Sequence, residues 1–569
     1  MVNLKEKPYY LNDEQIRWVE ETIAEMTLEE KIGQLFVNMV GDKYEREPEQ
    51  IREMLDKYHP GAIRYHNAPK EDIWEMANEL QRYSKIPLLI ASNCEAGGDG
   101  SSSDGTPIAN GAALSAVNSP DAVYEMACVS AAEAAAVGCN WNFAPIVDLT
   151  SNWRNTIVQL RAFNDNPDEV IGYSKAFFKG MKTQDIATCI KHFPGDGTEE
   201  NDQHLIMGVN ELSCDEWDQT FGRVYQELID AGVMTIMAGH IALPAYSRAL
   251  VPGIRDEDIR PATLAPELIT GLLKEKLGFQ GLVVTDASHM IGMFGASVPR
   301  SEQVPQAIRA GCDMFLFFND REEDFDYMMA GYQNGTITEE RLHDALHRIL
   351  GIKAALDLNN RKIQNQLLPP KENLRVVGCS RHHETAKQFA ERYVTLVKDR
   401  NGYLPMTPER YRRIRLVYIG SEDMVIAGKK IPSNNEAVIA DICDQLDTAG
   451  FEVSLGNEGK KGKTEEFKAG CDAVLLILNT QGFAQFNTMR VKWNEPVKQP
   501  WYMSEVPTFV VSLSYTNAMI DVPMARCYIN SYMPHHESFA ATLEKMTGKS
   551  EFTGRYHENV FCGRWDTRI

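Results

Sequence analysis

Three sets of residues in this chain have the types and spacing to do chemistry. Asp286 closes the apolar run Gly281-Leu282-Val283-Val284-Thr285. Asp202 and His204 stand two residues apart in a polar loop. Lys191 and His192 end a third apolar run, just before the Pro194-Gly195 break. A carboxylate at the end of a buried strand can act as nucleophile, base or metal ligand. Histidine titrates near neutrality and a neighbouring carboxylate fixes its tautomer, so Asp202 and His204 form a candidate proton carrier. Lys191 and His192 are donors suited to substrate hydroxyls. Arg161, in Leu160-Arg161-Ala162-Phe163, adds a rigid donor fork for vicinal hydroxyls.

Each residue also has a plainer reading. Asp286 could cap the next helix. His204 could be a solvated loop histidine, Lys191 an ion pair bracing the fold, and Arg161 a loop salt bridge with Asp165. Lys191 also suits the Schiff-base chemistry of barrel aldolases. Asp148, after Phe143-Ala144-Pro145-Ile146-Val147, is expected to hold loops or Arg161 in place. The stretch Gly97-Gly98-Asp99-Gly100 reads as a mouth loop, since no suitable helix start follows it to make a phosphate cradle.

The elements that must position these groups are strands. Eight apolar runs alternate with amphipathic segments over the first 356 residues: Ile32–Val37, Ala62–Tyr65, Pro87–Ala91, Trp141–Val147, Ala187–Lys191, Met234–Ala238, Gly281–Thr285 and Met314–Phe318. Between them lie helical patterns with clear ends, such as Ser119-Pro120-Asp121 at one start and Gly138 at its close. Continuously apolar strands joined by helices indicate parallel β-structure, and eight units close a (β/α)₈ TIM-like barrel. Their C-terminal ends would converge on one mouth, bringing together His66, Asn93 and Glu95, Asp148, Lys191 and His192, His240, Asp286 and Asp320. Such a polar mouth suits a hydroxyl-rich ligand.

At 569 residues the chain exceeds one ordinary core. Residues 1–356 form the expected barrel, 357–373 a linker, and 374–569 a smaller α/β sandwich domain with strands at Arg415–Gly420, Ala473–Asn479, Thr508–Leu513 and Cys527–Ile529. That domain carries no nucleotide-binding motif. A net charge of −22 argues against nucleic acid as a partner. No window approaches the ~20 apolar residues of a membrane helix, and the start of the chain lacks an apolar leader core. The eleven cysteines are scattered without a C-x-x-C pair. A cytoplasmic protein without cofactor or metal is expected, as no two of the histidines beside the mouth share the local spacing of a metal site.

These segments together resemble glycoside hydrolase family 3. Lys191-His192-Phe193-Pro194-Gly195 is similar to its most recognisable barrel motif, and Asp202-Gln203-His204 to the Asp-x-His of its β-N-acetylglucosaminidase branch. Asp286 falls where the family's nucleophile sits, Arg161-Ala162-Phe163 resembles a sugar-binding segment, and Asn93-Cys94-Glu95-Ala96-Gly97-Gly98 its Asp-x-Glu-Gly-Gly region. Leu404-Pro405 and Phe552-Thr553-Gly554-Arg555 extend the likeness through the second domain. The combination is most similar to two-domain enzymes acting on β-N-acetylglucosaminides and β-glucosides, some of them phosphorylases. Asp196 and Asn93 depart from the hexosaminidase pattern, where histidine and aspartate are usual, and leave the preferred sugar open.

The resemblance implies a retaining, exo-acting β-glycosidase on a small carbohydrate substrate. Asp286 would be the nucleophile and the Asp202–His204 dyad the acid/base. Lys191, His192, Arg161, Asn93 and Glu95 would bind sugar. Inorganic phosphate could replace water as acceptor. A Schiff-base lyase at Lys191 and a non-catalytic sugar-binding protein are the alternatives from other classes.

Overall fold

The computed structural model describes residues 2–41, 47–294, 298–426, 429–456, 463–480, 488–493 and 499–569. The chain divides into two compact units. The first comprises residues up to Pro107 with Pro120–Leu149 and Asp165–His382; the second comprises Ile108–Ser119, Thr150–Asn164 and His383–Ile569.

The first unit is a parallel barrel of eight strands: β1 (Phe36–Val40), β2 (Ala62–Tyr65), β3 (Leu89–Ser92), β4 (Trp141–Asn142), β5 (Ala187–Phe193), β6 (Thr235–Ala238), β7 (Leu282–Thr285) and β8 (Phe315–Leu316). They pair in chain order. β8 returns to β1 through Phe36↔Phe315, and a Val284↔Met314 bridge joins β7 to β8. The wholly buried Asp313 reinforces that junction, accepting from Val283 N at 2.8 Å and from Lys274 Nζ at 3.1 Å.

Several expected strands differ in extent: Met314–Phe318 shortens to Phe315–Leu316, Pro87–Ala91 shifts to Leu89–Ser92, and two further cases have a clear cause. The run Ile32–Val37 is split, because Thr27 opens a helix over Leu28–Gly33. Thr27 Oγ1 accepts from Glu30 N at 3.2 Å, and Glu30 Oε2 accepts from Thr27 N at 2.9 Å. This reciprocal capping box holds the apolar residues in a helical turn and delays the strand to Phe36. Trp141–Val147 shortens to Trp141–Asn142, since Pro145 has no N–H for a ladder. Ile146 resumes contact by a parallel bridge to Lys191.

The stretch 357–373, expected as a linker, is folded. It contains a helix over Leu358–Ile363, and Leu358 and Leu367 are buried in the barrel's own apolar core. These leucines anchor a segment otherwise rich in Asn and Pro, and the division between units falls later, at His382/His383.

The second unit is built on a six-stranded sheet among the described residues: β9 (Thr395–Asp399), β10 (Arg413–Gly420), β11 (Glu452–Leu455), β12 (Ala473–Asn479), β13 (Thr508–Ser512) and β14 (Cys527–Asn530), in the order 9-14-13-12-10-11. All pairs are parallel except β9 with β14. β12 is buried along its whole length, as a central parallel strand covered on both faces must be. Helices such as Asn435–Thr448 and His536–Met546 supply the α-layer.

Candidate active site

Asp286 follows β7 directly. Its backbone N–H donates to Ala238 O at 2.8 Å, while Thr285 N donates to Met314 O at 3.0 Å, so both neighbouring strands fix the residue. Asp286 Oδ1 accepts from Ala287 N at 2.7 Å. Burial alone would push this carboxyl's pKa up. The nearby His192, His240 and His204 and the Ala287 N–H outweigh that, and the pKa lies below the ordinary aspartate value. The group is held as an anion.

His192 Nε2 lies 3.9 Å from Asp286 Oδ2. Its other ring nitrogen, Nδ1, donates to Asp148 Oδ2 at 2.7 Å, a carboxylate being able only to accept. Asp148 Oδ1 accepts from the backbone N–H groups of His192 (3.1 Å) and Asp196 (2.8 Å). The buried Asp148 thus orients the imidazole and ties down the loop after β5. The Lys191–His192 peptide is cis, and both side chains are buried and engage groups of the mouth.

Lys191 Nζ sits 2.7 Å from Glu95 Oε1, so the bracing ion pair is the arrangement found. Glu95 belongs to a tight turn after β3, where its N–H donates to Asn93 O at 2.8 Å. Asn142, from β4, holds the same turn by accepting from Cys94 N at 2.8 Å. Asn93 itself is exposed at the rim.

Asp202 Oδ1 accepts from both His204 Nδ1 (2.7 Å) and His204 N (2.8 Å). The Asp202 side chain is fully withdrawn from solvent, whereas that of His204 is 25% exposed. A short parallel ladder, Gly208–Val209 on Ile241–Ala242, clips this loop to the segment after β6. Gln203 Oε1 accepts from His240 N at 2.9 Å, and Ile291 N and Gly292 N, beyond Asp286, donate to His204 O and Gln203 O at 3.2 and 3.0 Å. Asp202, His204 and Asp286 are therefore carried by one interlocked set of loops.

Sequence reasoning missed two supporting contacts. His240 is buried, with Nδ1 3.0 Å from Thr263 Oγ1 and Nε2 3.0 Å from Ala287 O, the carbonyl of the residue after Asp286. Burial lowers its pKa against the pull of Asp286. Arg300 donates to Ser288 O at 2.8 Å and Ser288 Oγ at 2.9 Å, and grips Asp324 through Nε (2.8 Å) and a second nitrogen (2.6 Å). His240 was visible only as a polar strand end, and no local spacing links residues 288, 300 and 324.

Arg161 belongs to the second unit. It is half-buried, and its guanidinium reaches Ile157 O at 3.4 Å. Among the described residues no cluster of three His, Cys, Asp or Glu could hold a metal ion, and no helix is long and apolar enough to cross a membrane.

Residues 27–352 match the sequence profile of the glycosyl hydrolase family 3 N terminal domain. A beta-N-acetylglucosaminidase/beta-glucosidase of Cellulomonas fimi is 39% identical over the full length of both chains. The solved structure of a beta-glucoside phosphorylase, BglX, bound to 2FGlc superposes with a TM-score of 0.91 at 36% identity, covering 97% of this chain and 98% of the other. A beta-N-acetylglucosaminidase from Paenibacillus sp. str. FPU-7, at 21% identity and TM-score 0.74 over 93% of this chain and 98% of its own, shares the fold.

Proposed function

The chain belongs to glycosyl hydrolase family 3 and is a glycosidase, and we propose that it releases terminal β-linked N-acetylglucosamine or glucose by double displacement at Asp286. The observation that carries this reading is the pairing of unlike groups on one rim: a carboxylate held as an anion at the end of β7, and an imidazole bonded through Nδ1 to a buried aspartate.

In the first step an Asp286 oxygen bonds to the anomeric carbon while the bond from that carbon to the leaving oxygen breaks. His204 Nε2–H gives its proton to that oxygen. Asp202 fixes the tautomer and stabilises the imidazolium before the transfer. In the second step an acceptor O–H loses its proton to neutral His204, bonds to the anomeric carbon and displaces Asp286 as a carboxylate. General acid/base help of this kind contributes ~10²–10⁴ in rate. His192, oriented by Asp148, and Lys191, set by Glu95, are the hydroxyl donors, and no cofactor is needed for either step.

One observation favours phosphate as an alternative acceptor. Histidine is neutral after giving up its proton, whereas a carboxylic acid would become an anion that repels phosphate. The likeness to the beta-glucoside phosphorylase supports this second reading, while the ion pair with Glu95 offsets the charge Lys191 would bring.

Two experiments test the reading. Mass spectrometry after a 2-deoxy-2-fluoro glycosyl donor should find the sugar on Asp286, and a label elsewhere removes the nucleophile assignment. Turnover of aryl β-glucosaminide and β-glucoside with and without phosphate then separates the acceptors: sugar phosphate as product establishes phosphorolysis, and free sugar alone establishes hydrolysis. A cytoplasmic location is supported by eleven cysteines without a disulfide and is checked by cell fractionation.

A further inference from the structure

The barrel rim carries a second concave site, and Asp320, expected at the mouth, lines it together with none of the groups described above. It is a cavity of about 540 Å³ between the helix Pro48–Tyr58, which follows β1, and the segment that leads from β8 into the helix Arg321–Gln333. Pockets for small molecules span ~300–1,000 Å³. Phe36 and Phe318 stack at 4.1 Å beneath it, and Tyr58 packs against Phe318 at 5.9 Å, forming an aromatic floor.

Asn38 stands two residues beyond Phe36, on the same face of β1, and lines this cavity. Its side chain is 1% exposed. Arg321 Nε donates to Asn38 Oδ1 at 3.2 Å, which fixes the amide so that Nδ2 is its donor end. Nδ2 is buried and has no hydrogen-bond partner. An unmet buried donor costs about 1–3 kcal/mol, so an acceptor supplied by a ligand would recover that cost.

The charges around it decide the ligand class. Glu53, Asp320 and Glu322 face Lys57 and Arg321 across the cavity, and Lys57 pairs with Glu322 at 3.5 Å. Three carboxylates against two cations give the lining one net negative charge, which disfavours an anion, and the Lys57–Glu322 pair leaves little charge to hold a cation. A buried amide donor, a guanidinium, paired carboxylates and an aromatic floor match the hydroxyls and apolar ring face of a neutral sugar.

We propose that this cavity is an accessory binding site for a neutral pyranose, separate from the catalytic mouth. The site adjoins the nucleophile's loop through β8: Phe317, next to Phe318, accepts from Ser288 Oγ and stacks on His289 with ring centroids 6.1 Å apart. The proposal does not depend on which acceptor resolves the glycosyl-enzyme.

The test is equilibrium binding of labelled glucose, and separately of N-acetylglucosamine, to the full chain and its variants. His192→Ala should remove binding at the mouth and leave the accessory site occupied. Arg321→Met and Asn38→Leu should weaken the accessory site at least about tenfold, the effect of losing a charge-assisted or buried hydrogen bond, and should leave turnover of an aryl glycoside unchanged. If Asn38→Leu fails to fold, the half-buried Arg321 decides alone. Disappearance of all binding with His192→Ala, or unchanged binding in both cavity variants, overturns the proposal, as does displacement of the sugar by inorganic phosphate. A mouth that binds neither sugar would instead count against the glycosidase specificity and leave the accessory site measurable.

Discussion

Asp202 and His204 share a 2.7 Å hydrogen bond in which the carboxylate is sealed from water while the imidazole stays partly open. The closed end fixes the tautomer and the open end can meet a substrate. Asp202→Asn keeps the shape but removes the charge that favours the imidazolium, and should lower kcat by about 10²-fold or more, within the range of general acid/base contributions. His204→Ala should do the same and steepen the dependence of rate on leaving-group basicity in a series of aryl glycosides. A flat series in His204→Ala would exclude it as proton donor.

The anionic state of Asp286 is maintained by histidines against burial. A carboxyl whose pKa is lowered on folding contributes stability above its unfolded value, and loses it as pH falls through the folded value. Asp286 therefore stays charged into mildly acidic solution. His192→Ala removes the first of the opposing neighbours, so the Asp286 pKa should rise and the acid limb of kcat/KM should move to higher pH. The pH–rate profile reads this shift independently of the lower absolute rate.

Arg300 acts through Ser288 on the nucleophile's loop, with the wholly buried Asp324 holding its other face. Arg300→Met leaves that carboxylate uncompensated, and thermal or denaturant unfolding should show a loss of about 3–5 kcal/mol. At temperatures where the variant is folded, kcat should fall more than KM changes. Arg300→Lys should recover stability better than kcat, because an ammonium cannot reproduce the planar fork.

Glu133 is a structural counterpart under the turn after β3. It accepts from Thr106 N and Oγ1, both at 2.8 Å, from Gly378 N at 3.1 Å and from His382 Nδ1 at 2.6 Å. Burial pushes its pKa up, but these donors, His382 foremost, bring it below the usual value. Its stabilising effect is thus present above the unfolded pKa and lost on acidification through the folded one. Glu133→Ala should lower stability by about 1–3 kcal/mol for each donor left unmet, with the deficit narrowing in acid, as measured by urea midpoints across pH.

The barrel was legible because parallel strands buried on both faces leave continuous apolar runs, and Asp286, Lys191 and His192 were legible because they end such runs. The start of β1 was not, since the same apolar letters serve a helix once Thr27 and Glu30 cap it. Partner identity was invisible for a different reason. Lys191 and Glu95 lie far apart in the chain, as do His192 and Asp148, and the side-by-side pairing of β3, β4 and β5 makes them neighbours. The leucines that fold 357–373 onto the barrel were too few to register against its Asn and Pro.

The clip formed by Gly208–Val209 on Ile241–Ala242 separates two kinds of commitment in this enzyme. Asp286 is fixed at a strand end, bonded to the strands on either side. His204 rides on an appended loop, attached by that short ladder, by Gln203 and by the backbone N–H groups of Ile291 and Gly292. On the proposed mechanism the choice of proton carrier can therefore vary without a change in the strand that holds Asp286.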